Sequence, residues 1–150
     1  ITQGANIIAD VEMICVGLSK PRLSHFGVNT HHFISDSDVI TQAKAENSTR
    51  AVQAMRKAQR LGLLHKSIVA VGNAPTALLE VLRMIKEEDV RPALIIGMPV
   101  GFVSAAESKE ATALLQDIPW IITHGRKGGS TLVVAATHAL LALAEQANKS

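Results

Sequence analysis

Ser67–Leu82, SIVAVGNAPTALLEVL, joins two patterns in a single run. Its first six residues are almost continuously apolar and β-branched rather than alternating, which fits a strand buried on both faces. Gly72 then permits a tight turn, Asn73 is placed to cap, and Pro75 suits the first turn of a helix that ALLEVL continues. A doubly covered strand that leads straight into a helix is the repeating unit of a parallel α/β sheet.

Working outward, the same unit recurs. Short β-branched runs stand at NIIADV (6–11), HHFIS (31–35), ALIIGMP (93–99) and WIITHG (120–125), each followed by a segment able to form a helix. Helices are predicted over Ser37–Leu61, Pro75–Glu88, Ser104–Gln116 and Ser130–Gln146, with a short one at Glu12–Leu18. Right-handed crossovers would stack these as a three-layer α/β/α sandwich around a five-stranded, mainly parallel sheet, with residues 1–150 forming one domain. No internal repeat or low-complexity segment interrupts the pattern.

Composition narrows the function classes. With 47% hydrophobic residues the 150-residue chain can bury a real core, and the 19% charged content with a mean hydropathy of +0.22 hints at apolar surface covered by a second subunit. The net charge of +2 contains no long basic run and aromatics are 3%, so a nucleic-acid surface is not expected. The single cysteine, Cys15, has no internal disulfide partner and no CxxC mate, which points to a reducing, cytoplasmic setting. No membrane span and no secretory leader are expected, and the start at Ile1 without a methionine reads as a beginning that was cut or lost.

Ligands of open parallel sheets sit outside the carboxyl ends of the strands. Three loops on that edge carry polar chemistry. VGNAPTALL follows the third strand, and PVGFVSAAESKEA (99–111) follows the fourth. HGRKGGST follows the fifth and sets Arg126 and Lys127 before two glycines and a helix start. Helix N-termini with adjacent cations favour anions, and three such loops suggest a polyanionic ligand. Ser104 and Glu107 have the spacing of a capping box, which competes with a ligand-facing reading of the same residues. Neither GxGxxG nor GxxxxGK[ST] is present, which disfavours the standard nucleotide folds.

Other candidates carry a plain alternative. Asp10 and Glu12 flank the end of the first strand as caps, ion-pair partners or an acid and base, and Arg22 and Arg50 are either solvated charges or ligands. Among six histidines, His31 and His32 are expected at a strand start on opposite faces, and His65 on the far edge. His25 and His138 lack ligand-spaced neighbours, and His124 alone is expected at a carboxyl end. No metal site and no cofactor are expected.

Taken together, GNAPTALL (72–79), GMPVGFVSAAESKEA (97–111) and GRKGGST (125–131) resemble the precorrin-8X methylmutase, or precorrin isomerase, family of cobalamin biosynthesis, and GANIIADVEMICVGLSKPRL (4–23) looks like its first strand and loop. The resemblance implies a flavodoxin-like sheet and a homodimer. It also implies a methyl shift from C11 to C12 of precorrin-8X or cobalt-precorrin-8, giving hydrogenobyrinic acid or its cobalt form. Any cobalt would belong to the substrate. The polycarboxylate macrocycle would explain the cationic loops, and Gly101, Val103, Ala105 and Ala106 would let the backbone approach its apolar face.

Residue by residue, the resemblance assigns substrate contacts to Ser19, where the family usually has threonine, and to Arg50, whose segment reads NSTR instead of GNTR. Arg22, Asn73, Thr76, Gly101, Val103, Glu107, Lys109 and Arg126 match family motifs as further binding or loop-shaping residues. The family's proton-donating histidine belongs to a segment upstream of Ile1, so no catalytic residue is assigned here. The expectation is an isomerase lacking its catalytic histidine in this chain. Two alternatives stand beside it: a non-catalytic tetrapyrrole-binding module or inactive fragment, and a flavodoxin-like binder of a phosphorylated small molecule.

Overall fold

The computed structural model describes residues 1–149. Its sheet has five strands in the order β2-β1-β3-β4-β5, and every neighbouring pair is parallel. The strands are β1 (Ile7–Ala9), β2 (Thr30–His31), β3 (Ile68–Val71), β4 (Leu94–Gly97) and β5 (Trp120–Ile122). The helices are α1 (Glu12–Gly17), α2 (Lys20–His25), α3 (Ser37–Ala45), α4 (Arg50–Arg60), α5 (Pro75–Glu88), α6 (Ala105–Ala113) and α7 (Ser130–Ala147). This is the flavodoxin-like strand order, with its reversal between β1 and β3.

Alternation along the strands builds two cores. Ile8, Val69, Val71 and Ile95 face Met55 of α4 and Leu78, Val81 and Met84 of α5. Ile7, Ala9, Ile68, Ala70 and Ile96 face Ile14 of α1, Leu23 of α2, and Val133 and Leu141 of α7. Both sets are buried, which is why β3 and β4 read as unbroken apolar runs.

Three local expectations are corrected. The helix predicted over Ser37–Leu61 is two helices, because the chain turns at Glu46–Thr49 with Asn47 at φ 51° and Thr49 starting a new helix. The HHFIS strand is shorter and earlier, so His31 ends β2 and His32 follows at its carboxyl end. SKPRLS is not a loop: Pro21 sits in the first turn of α2. α7 is long and apolar enough by length and composition to cross a membrane, at a mean hydropathy of 1.2 over 18 residues. Val133, Thr137, Leu141 and Ala144 nevertheless form a buried stripe, so α7 is a covering helix of the sheet.

Candidate functional site

The crevice between β1 and β3, where such sheets ordinarily take an anion, is filled by the chain itself. Asp10, at the end of β1, is buried and its carboxylate faces the start of α5. One oxygen accepts from the Gly72 N–H at 2.9 Å, and the other accepts from Asn73 at 3.0 Å and Ala74 at 2.8 Å. Burial pushes the Asp10 carboxyl above its ordinary value, and these three N–H donors oppose the rise. The N-cap of α5 is Ala74 and not Asn73, the helix has no side-chain cap, and Asp10 instead ties down the loop amides just before it. Gly72 is needed here for a second reason: a Cβ on it would lie 2.8 Å from the Ser130 Cα, where α7 begins.

The loop after β4 departs from the capping-box expectation. Ser104 has φ 68° and its side chain makes no cap bond, so α6 starts from a left-handed residue and Glu107 lies exposed in its first turn. That backbone projects the preceding residues outward, leaving Phe102 85% and Val103 81% exposed. Gly101, at φ 131°, supplies the bend that an L side chain rarely adopts.

The loop after β5 lies beside it. The Arg126 guanidinium stands 5.1 Å from the centre of the Phe102 ring, a cation–π contact that joins the two loops. Gly128 is pressed against the chain just past β4, since a Cβ there would come within 2.1 Å of the Met98 carbonyl oxygen. Gly129 donates to that same carbonyl at 2.8 Å. Lys109 approaches from beneath: it is 1% exposed, and its ammonium donates to the carbonyls of Gly125, at 2.8 Å, and Lys127.

Arg50 reaches this edge by a route not visible in local sequence. Thr49 caps α4 by accepting from the Val52 N–H at 3.1 Å, and its hydroxyl meets that of Thr76 at 3.3 Å. The start of α4 is therefore held against the start of α5, beside the exposed Asn73. A cleft of about 500 Å³ lined by Lys44, Asn47, Ser48 and Arg50 opens at the turn before α4.

Ser19 and Arg22 lie elsewhere. The Ser19 N–H donates to His138 Nε2 at 3.0 Å, about 12 Å along α7 from its start at the usual helical rise. Arg22 pairs with Glu145 at 2.8 Å and donates to the His138 carbonyl, in an open groove of about 790 Å³ that Pro21 and His25 also line. Asn73, Thr76, Gly101, Val103, Glu107 and Arg126 thus gather on the carboxyl edge with Arg50, Lys109 underlies them, and Ser19 and Arg22 stand apart.

The pairing of the arginines separates structure from site. Arg22, Arg56, Arg83 and Arg91 all form carboxylate ion pairs, and Arg60 ends α4, where a helix dipole favours a cation. Among the described residues no carboxylate pairs with Arg50 or Arg126. Two histidines also reach the carboxyl ends, the exposed His124 after β5 and the half-buried His32 after β2. The Nδ1 of His32 is buried without a hydrogen-bond partner among the described residues. No group of three or more candidate metal ligands occurs among the described residues.

Comparison with known proteins bears on the family and the fold. The family profile of precorrin-8X methylmutase matches residues 1–143. The cobalt-precorrin-8 methylmutases of Leptospira interrogans and Priestia megaterium are each 52% identical, over 97% of this chain. The chain spans 69% and 63% of their respective lengths. A crystal structure of precorrin-8X methylmutase from Thermus thermophilus superposes with a TM-score of 0.86 at 46% identity, covering 96% of this chain and 69% of that one. On sequence and on fold alike, the chain belongs to the precorrin-8X methylmutase family.

Proposed function

We propose that this chain carries the substrate platform of an isomerase in cobalamin biosynthesis, one that moves a methyl group from C11 to C12 of precorrin-8X or cobalt-precorrin-8. The observation that carries the reading is that Arg50 and Arg126, on the sheet edge whose loops carry the family's motifs, have no carboxylate partner among the described residues. A substrate rich in carboxylates supplies the missing counter-charges. The exposed Phe102 and Val103 offer apolar contact to a flat macrocycle, and the bend at Gly101 brings them forward. Asn73, Thr76 and Glu107 stand close enough to the same edge to hydrogen-bond the rim of the ligand.

In this reading the chain's own residues bind and orient. The family's proton donor is assigned to a segment upstream of Ile1, and protonation of the macrocycle starts the methyl shift. No resident cofactor or metal is proposed, and cobalt enters only as part of the substrate. A cytoplasmic setting and a homodimer complete the proposal. The dimer is supported by apolar residues left uncovered on adjoining helices, Met13 and Val16 of α1 and Leu132 and Leu143 of α7.

The test is an absorbance titration of the 150-residue chain with precorrin-8X and with cobalt-precorrin-8, followed over time. Conversion to the product spectrum supports isomerase activity in this chain itself. A bound spectrum that never converts supports a complete platform without its acid. No spectral change at micromolar concentrations with either substrate overturns the reading.

A further inference from the structure

We propose that Lys109 is a positioning residue, whose ammonium fixes the backbone on both sides of Arg126 and so presents that guanidinium to a substrate carboxylate. The identity of the carboxylate rests on the methylmutase reading above; the hold on the loop does not.

Lys109 is among the largest fully buried side chains of the chain. Among the described residues no carboxylate pairs with it. Burying an ammonium without a counter-ion is costly, and a methionine would fill similar volume without that cost. What the ammonium adds is two hydrogen bonds, to the carbonyls of Gly125 and Lys127, the residues on either side of Arg126.

The loop has little else to fix it. Gly125, Arg126 and Lys127 are exposed, and Gly125 and Gly129 adopt left-handed or bent backbone at φ 67° and 126°. Among the described residues its other polar holds are the Thr123 hydroxyl on the Lys127 carbonyl, at 2.7 Å, and, at its far end, the Gly129 N–H on Met98 and the Gly129 carbonyl accepting from Leu132 and Val133. Lys109 also lies on α6, the helix that follows Phe102. One helix therefore governs both the ring and the guanidinium that rests on it.

The experiment is a double-mutant cycle of Lys109→Met and Arg126→Ala, read as affinity for hydrogenobyrinic acid by absorbance titration. Amide hydrogen exchange over residues 125–129 is measured alongside. Arg126→Ala is expected to weaken binding about tenfold in the wild type but less than about twofold in folded Lys109→Met, whose Gly129 amide, the loop N–H bonded to Met98, exchanges about tenfold faster. Equal losses in both backgrounds, or unchanged exchange in folded Lys109→Met, overturn the inference.

Should Lys109→Met fail to fold, Thr123→Val removes the other donor to the Lys127 carbonyl from a half-buried position. The same cycle with Arg126→Ala then has to be subadditive, and additive losses overturn the inference. A wild type that does not bind the product refutes the methylmutase reading. The exchange result then decides by itself whether Lys109 holds the loop, with unchanged exchange counting against it.

Discussion

Replacing Asp10 with asparagine changes one atom and leaves the backbone bond from the Asp10 N–H to the Ala70 carbonyl in place. The side-chain oxygen of asparagine can keep the Asn73 and Ala74 donors, but its amide nitrogen then faces the Gly72 N–H, donor against donor. One hydrogen bond to the protonated carboxyl is lost and a buried N–H is left unsatisfied, so the expected loss is about 2–4 kcal/mol below the ordinary carboxylate range, where the linked contribution is complete. At roughly 3 °C per kcal/mol for a chain of this size, the melting temperature falls by about 6–12 °C.

The assay is urea and thermal unfolding of both proteins across pH. Burial holds the Asp10 carboxyl above its unfolded value, so its linked contribution is complete at acid pH and is lost as pH rises through the folded value. The gap between wild type and Asp10→Asn should accordingly be widest below the ordinary carboxylate range and narrow above it. A loss under about 0.5 kcal/mol would refute the anchor. A gap that widens with pH would show that the three N–H donors outweigh burial.

Arg126→Ala should weaken product binding by about 1–3 kcal/mol without lowering the melting temperature, as titration and thermal unfolding will show. Glu80→Gln should destabilise the chain by about 1–3 kcal/mol, since Glu80 is buried and accepts from Arg56 at 3.0 Å and Arg83 at 2.6 Å, although both guanidinium groups are partly solvated. Burial pushes the Glu80 carboxyl up but the two guanidinium groups hold it below its usual value, so its contribution is present above the ordinary glutamate range and is lost as pH falls through the folded value; denaturation in that acid window checks it. Gly128→Ala should displace the β5 loop, costing about 1–3 kcal/mol or more and abolishing product binding, because its Cβ would sit 2.1 Å from a backbone carbonyl. FMN and inorganic phosphate at millimolar concentration should shift the melting temperature by less than about 1 °C, since the anion position at α5 is already filled.

The parallel sheet was legible because its signal is local. β3 and β4 are buried on both faces, and Pro75, Gly72 and the small residues before α7 mark the crossovers within a few positions of where they act. The break between α3 and α4 was also signalled, by Asn47, Ser48 and Thr49, but the amphipathic flanks on both sides masked it. Asp10 was not legible as the anchor of the loop before α5, because its partners lie 62 to 64 residues away and nothing local distinguishes an anchoring aspartate from a catalytic one. The same distance problem hid the place of Lys109 beneath the β5 loop and the separation of Arg22, whose ion-pair partner lies on α7. Ser104 misled because its spacing to Glu107 fits a capping box, whereas the bend that exposes Phe102 puts Ser104 in the left-handed region, away from the extended backbone usual at an N-cap.

These placements also separate the function classes. A flavodoxin-like sheet that bound a phosphorylated small molecule would leave the N–H groups at the β1–β3 reversal free for the phosphate. Here Asp10 takes those N–H groups and the start of α7 packs over Gly72, so the usual crevice is closed from two sides. The proposed recognition surface lies outward, on loops where Arg126 has no carboxylate partner among the described residues and where Phe102 and Val103 stand exposed. Such a surface suits a ligand broader than a nucleotide, with charge at its rim and an apolar face, and a corrin precursor has that shape and chemistry.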